Sequence, residues 1–315
     1  GGVDRSGQGL ANSELYDPAT RGFSAAGSMP SKSFGHTATL LASGKVVVFG
    51  GGNSSVQLFD PATRNWSSAG SLSSNRSWHT ATLLPDGRVL VIGGADNAGK
   101  TLNTTIVYNP ANGTYASGPT LDVQRERHTA TSLPNGKVLV VGGRRKNGNS
   151  YVTHATFTVC DATACTASAG GIAARHSHAA AALGLDGSKV LVAGGANVNT
   201  DLATIELYDF VAGRWTSTGL GSLAPARRGL TLSEAPNGRA LAAGGTSGGT
   251  ATRLSDLYVP PMAPRAPMIV DRAGHTATPL EDATGTITGI LVVGGASGSA
   301  GAASALDSAE IYGTP

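Results

Sequence analysis

His79-Thr80-Ala81-Thr82-Leu83-Leu84-Pro85-Asp86-Gly87-Arg88-Val89-Leu90-Val91-Ile92-Gly93-Gly94 holds the plan of the whole chain. A short alternating segment, His79 to Leu84, has the period of a strand. Asp86-Gly87 then tolerates the positive φ of a tight hairpin. Val89 to Ile92 is a continuous β-branched and aliphatic run, the mark of a strand buried on both faces. The run stops at a double glycine.

That stretch recurs. Gly-Gly pairs end apolar runs at Gly50-Gly51, Gly93-Gly94, Gly142-Gly143, Gly194-Gly195, Gly244-Gly245 and Gly294-Gly295, and another pair opens the chain at Gly1-Gly2. Their spacings are 49, 43, 49, 52, 50 and 50 residues. Self-similarity near ~50 residues marks a repeat architecture. A third strand follows each pair, clearest in Glu14-Leu15-Tyr16-Asp17-Pro18, Gln57-Leu58-Phe59-Asp60-Pro61 and Glu206-Leu207-Tyr208-Asp209. A fourth often carries an aromatic: Phe23, Trp66, Tyr115 or Trp215. Four strands per unit make one blade of a propeller. No stretch keeps a helical period.

The double glycine, the Tyr-Asp-Pro strand and the later tryptophan resemble the kelch family over essentially the whole chain. The His-Thr-Ala-Thr-Leu-Leu-Pro-Asp-Gly wording is similar to its bacterial, galactose-oxidase-like branch. The expected fold is all-β, a single domain over residues 1–315, a six-bladed kelch propeller with four-stranded antiparallel blades. Residues 1–27 supply only a third and a fourth strand, Ser13–Thr20 and Gly22–Ala26, and are expected to add the outer strand to the final blade and close the ring, which leaves one third strand, 13–20 or 308–313, redundant. A fragment of a seven-bladed parent, its first two strands upstream of Gly1, is the alternative that strand counting leaves open.

Composition narrows the function. Charged residues are 14% of the 315, and the net charge is only +3, too weak to point to nucleic acid. No apolar run approaches the ~18 residues of a membrane span. Residues 1–25 contain no basic-then-apolar signal segment, so the reading is a cytosolic or an already processed chain. Cys160 and Cys165 bracket Asp-Ala-Thr-Ala, small turn-prone residues that favour a disulfide-closed loop over a zinc or redox motif. A disulfide places the expected protein outside the cytosol, secreted or on a cell surface. Membership of a larger surface protein stays open.

An arginine stands three residues before each repeat histidine. These are Arg76, Arg125, Arg175 and Arg272, with Arg227 at the matching place before Leu230 and Ser33 in the first unit. The kelch resemblance implies that they ring one mouth of the central channel. Two readings follow: an anion-binding mouth, since guanidinium forks suit carboxylate, sulfate or phosphate, or arginines that pack along their blades and bond backbone carbonyls. The histidines His36, His79, His128, His178 and His275 are spread round a ring too widely to hold one metal and are read as bonding between blades.

Four residues near the mouth depart from the repeat: Trp78, Arg127, His176 and Arg228. A tryptophan among arginines can stack on a sugar. The basic loop Arg144-Arg145-Lys146-Asn147-Gly148 is read as solvated. A copper-radical site would need a tyrosine before the repeat histidine. That place holds Gly35, Trp78, Arg127, Ser177 or Gly274, so no cofactor is expected. The expected function is a non-catalytic binding or scaffold propeller, its mouth presented to an anionic glycan or a protein. The alternative is a polysaccharide lyase or hydrolase on the same face, with His176, Arg175 and Arg127 as its groups and Asp122, Glu126 and Asp271 as the few nearby acids.

Overall fold

The computed structural model describes residues 1–168, 171–183, 187–259, 262–282, 284–299 and 304–313. It is all-β, as the repeat predicts. Among the described residues six antiparallel sheets of three or four strands follow one another along the chain, with five two-stranded ones beside them. Blade 1 has strands Thr37–Leu40, Val46–Phe49, Asn53–Asp60 and Asn65–Arg76. Blade 2 has Thr80–Leu83, Val89–Ile92, Thr105–Asn109 and Thr114–Ser117. Blade 3 has Thr129–Ser132, Val138–Val141, Phe157–Cys160 and Cys165–Ser168. Blade 4 has Ala179–Leu183, Lys189–Ala193, Ile205–Asp209 and Arg214–Thr216. Blade 5 has Thr231–Ala235, Arg239–Ala243, Ser255–Tyr258 and Met262–Arg265. Blade 6 has three strands among the described residues, Thr276–Glu281, Ile287–Val293 and Ala309–Gly313.

The first strands of all six blades line one central channel. The second strands form the core. Val89, Leu90, Val91 and Ile92 are each fully buried, worth about 2 kcal/mol apiece relative to exposure. Five apolar clusters lie between blades 1 and 2, 2 and 3, 3 and 4, 4 and 5, and 5 and 6. The double glycine is a packing requirement. A Cβ on Gly93 would sit 2.5 Å from the Arg125 carbonyl oxygen of the next blade. The loop between the first two strands of blade 2 is a residue longer than expected. Leu84 donates its amide to the Arg88 carbonyl at 2.8 Å, and only Gly87 takes positive φ, 83°. That is a three-residue loop closed by a left-handed glycine.

The N-terminal segment does not complete the last blade. Leu10–Asp17 and Gly22–Ser33 pair only with each other, and Gly22–Ser33 packs on the outer strands of blade 1. Contacts with blade 1 hold it there: Ser31 donates its amide to Gln57 Oε1 at 2.7 Å, and Trp66 Nε1 donates to Ser13 Oγ at 2.8 Å. The expected disulfide is present. Cys160 and Cys165 face each other in register across adjacent strands of blade 3.

Candidate functional site

The five repeat arginines are not at a mouth. Arg76, Arg125, Arg175, Arg227 and Arg272 are all fully buried. Each reaches back along its own blade. Arg76 donates to the carbonyls of Gly93 at 2.7 Å and Thr104 at 3.1 Å, and burial lowers its pKa to about 10. Arg125 donates to the Gly142 carbonyl at 2.8 Å and to Asp122 at 3.2 Å. Arg175 pairs with Glu206 and Arg227 with Asp256. Arg272 pairs with Glu310 at 2.7 Å. In blade 1 the pair is neutral: Gln57 Nε2 donates to Ser33 Oγ at 3.1 Å. Burial without a counter-charge or carbonyls would be prohibitive, so these guanidiniums are committed inside the blades. Buried in this way, they are not the ligand-binding groups that the sequence suggests. The repeated residue does a repeated structural job.

The mouth itself is built by the residues next to the histidines. Gly35, Trp78, Arg127, Ser177, Gly229 and Gly274 all adopt left-handed backbone, with φ of 60°, 57°, 54°, 51°, 61° and 64°. Their amides form a relay round the axis. Trp78 donates to the Gly35 carbonyl, Arg127 to Trp78, Ser177 to Arg127, Gly229 to Ser177 and Gly274 to Gly229, at 2.8–3.1 Å. Glycine meets this backbone without cost. A side chain there is strained by about 1 kcal/mol or more. Blades 2, 3 and 4 nevertheless carry Trp, Arg and Ser in succession, and the three border a mouth cavity of about 310 Å3.

Beside Trp78 and Arg127 the mouth opens into a cleft of about 430 Å3, walled by Phe34, Glu126, Arg144 and Tyr151 among others. The Arg127 guanidinium stacks 3.9 Å from the centre of the Trp78 ring. Arg144 stacks 3.8 Å from the Tyr151 ring. Glu126 lies between the two arginines, 2.9 Å from Arg144 Nε and 3.9 Å from Arg127 Nε. Trp78, Phe34 and Tyr151 remain exposed at 39%, 42% and 37%. The sequence passes over Tyr151 and sets Arg144 in a loop that reads as solvated. That loop is a hairpin, Arg144–Asn147 with Ser150–Thr153, and Arg144 is anchored by a bridge to Glu126. Its position directly after Gly142-Gly143 was the available signal.

Such hairpins rise after most double glycines, at Ala196–Asn197, Thr246–Ser247 and Ala296–Ser297. They link sideways. Lys146 donates its amide to Thr101, Val198 to Thr153, Gly248 to Asp201 and Ala251 to the Gly298 carbonyl. Together they form a wall round the mouth.

His176 and Arg228 reach this wall but are less open than the sequence suggests. His176 is 3% exposed. Its ring nitrogens lie 3.0 Å from Ser177 Oγ and 3.3 Å from the Val198 carbonyl. Burial, aided by Arg144, Arg127 and Arg228, lowers its pKa to about 4. Arg228 is held by Asp201 at 2.9 Å. The nearby acids are also engaged. Asp122 accepts from Arg125 and from Thr158 Oγ at 2.9 Å, Glu126 is buried between arginines, and Asp271, like Asp122, is exposed.

The repeat histidines stitch neighbouring blades. Nε2 of His79, His128, His178 and His275 shares a hydrogen bond with Thr37, Thr80, Thr129 and Thr231 of the preceding blade, at 2.9–3.0 Å. Among the described residues no three His, Cys, Asp or Glu side chains converge as a metal site.

Comparison with known proteins follows the fold. No curated protein matches the chain. The solved structure of YjhT covers 90% of this chain and 95% of its own, at 15% identity and a TM-score of 0.70. A fungal alcohol oxidase of the AA5 family, solved in complex with copper, covers 100% of this chain and 69% of its own, at 17% identity and a TM-score of 0.75. The donor set here does not fit copper, because the histidines serve threonines of neighbouring blades and both cysteines are joined to each other. A model of the β-propeller of tRNA wybutosine-synthesizing protein 4 matches residues 73–246. That span runs through blades 2, 3 and 4 and covers more than half of the chain, which is a kelch β-propeller and belongs to this β-propeller family.

Proposed function

We propose that the chain is a secreted binding propeller that holds an anionic glycan against the Trp78–Arg127 wall without turning it over. The observation that carries this reading is the strained backbone at the mouth. The same position accepts glycine in blades 1, 5 and 6, yet blades 2 and 3 place an exposed indole and a guanidinium there. Strain of that kind is kept where a side chain has work to do. A sugar ring stacks on the open indole edge, and its carboxylate or sulfate takes the outward N–H groups of Arg127 and Arg144. The disulfide of blade 3 fits an oxidising compartment.

The test uses the repeat itself. Trp78→Gly and Arg127→Gly restore the residue found at the matching place in three other blades, so the fold is retained. On an array of acidic and neutral oligosaccharides, the wild-type chain is expected to bind acidic members selectively. Each variant is expected to lose at least about tenfold in affinity, the worth of one charge-assisted contact. Affinity unchanged in both variants, or binding of RNA or a protein in preference to any glycan, overturns the reading. So does depolymerisation of the bound glycan, which makes the site catalytic.

A further inference from the structure

The relay of amides round the mouth has two loose ends. It starts at Gly35 and stops at Gly274, and among the described residues no bond joins them. Three more observations fall at the same interval, between the first strand of blade 6, Thr276–Glu281, and that of blade 1, Thr37–Leu40. Among the described residues no threonine of a preceding blade reaches His36, whereas His79, His128, His178 and His275 each have one. Thr276, which should serve the next histidine, is exposed, whereas Thr37, Thr80, Thr129 and Thr231 are half-buried. No apolar cluster spans blades 6 and 1 among the described residues.

The N-terminal pair explains what belongs there. The Gly1 amine donates to the Asn12 carbonyl at 2.7 Å, as Gly50 donates to Ser55 and Gly93 to Thr104. Gly2 donates to the Ser33 carbonyl at 2.8 Å, as Gly51 does to Arg76. Gly1 and Gly2 therefore occupy the double-glycine place of a blade, and Leu10–Asp17 is its third strand. The residues of that strand are exposed or half-buried, while its counterparts bury Val56 and Phe59, Ile106 and Tyr108, or Ile205 and Tyr208. In this alignment Glu14 matches Glu206, Asp256 and Glu310, the carboxylates that hold repeat arginines in blades 4, 5 and 6. Glu14 is exposed and has no ion pair among the described residues.

We propose that the interval between blades 6 and 1 seats a pair of inner strands bearing the pattern Arg-x-x-His-Thr, running in cis into Gly1 and completing a seventh blade whose outer half is Leu10–Asp17 with Gly22–Ser33. The occupant's arginine pairs with Glu14. Its histidine meets Thr276, and its threonine meets His36. Its mouth residue takes the Gly35 amide and donates to the Gly274 carbonyl. The proposal is independent of the ligand at the mouth.

The experiment attaches residues 76–92, Arg76 to Ile92, in front of Gly1, so that the added hairpin reads into Gly1-Gly2 as the original reads into Gly93-Gly94. A second fusion carries the same residues in scrambled order. The ordered fusion is expected to raise the thermal midpoint by about 3 °C or more and to slow hydrogen exchange at the Gly35 amide at least tenfold relative to the scrambled one. Glu14→Gln is expected to cancel part of that rise in the ordered fusion and to leave the unfused chain unchanged. Equal midpoints and Gly35 exchange for the ordered and scrambled fusions overturn the proposal. A Glu14→Gln effect of the same size with and without the hairpin also overturns it.

Discussion

Arg175 and Glu206 form an ion pair in which neither side chain has meaningful access to water, the guanidinium at 0% and the carboxylate at 6%. Removing one partner of such a pair leaves the other charge buried and costs about 3–5 kcal/mol. Blade 1 shows how the same place is filled without charge, by Ser33 and Gln57. Arg175→Ser alone is therefore expected to lose about 3–5 kcal/mol in urea unfolding, and the double change Arg175→Ser with Glu206→Gln markedly less. A double variant as unstable as the single one would refute this account. The recurrence of the arginines was legible in the sequence, but their direction was not. A guanidinium six or so bonds from its backbone can reach outward to solvent or back along the blade, and only the fold selects. One clue was in plain view: Glu206, Asp256 and Glu310 stand at one repeat position in blades that carry the arginine, and in blade 1, where Ser33 replaces it, that position is the neutral Gln57. The same holds between blades 4 and 5, where Leu230 replaces the histidine and Ala179 replaces the threonine that would have met it.

At the scale of strands and loops, periodicity made the second and third strands readable, because burial on both faces imposes a continuous apolar run. The wall hairpins escaped. Two-residue strands such as Ala196–Asn197 and Thr200–Asp201 have no period to detect, and their order comes from amides borrowed from the neighbouring wall. Tyr151 of the cleft lies in a four-residue strand of the same wall, Ser150–Thr153, which is too short to show a period. The disulfide was readable, since Asp161 turns the chain by accepting the amides of Thr163 and Ala164 at 2.7 Å and 2.9 Å. This turn already brings the cysteines into register, and the closed loop is short, so its entropic contribution is about 2 kcal/mol. Replacing both cysteines by alanine is expected to lower stability by about that amount, measured against the same variant's intact secondary structure by circular dichroism. A loss several times larger would mean that blade 3 needs the bond in order to fold.

For the molecule as a whole, the histidine stitches set the response to pH. Burial lowers the pKa of His79 to about 3 and of His275 to about 4, and holds His128 and His178 well below their ordinary value. Each is neutral when folded and protonates more readily when unfolded. Their contribution is thus complete above about pH 6.5 and declines as pH falls toward 4, by up to about 1.4 kcal/mol per pH unit for each histidine. Urea unfolding is expected to give nearly constant stability from pH 8 to 7 and a steep fall below 6.5; a flat profile down to pH 5 would contradict it. Among the described residues no stitch closes the ring at His36, and without the strands proposed above that gap governs its mechanics. An unbroken hoop spreads load round its circumference, whereas a hoop cut once is most compliant at its two lips. Here the lips are the first strand of blade 6 and the N-terminal strand pair, and blades 3 and 4 lie opposite. Thermal agitation therefore peels the molecule from those lips inward, and the indole–guanidinium wall, seated on blades 2 and 3, stands near the part that yields last.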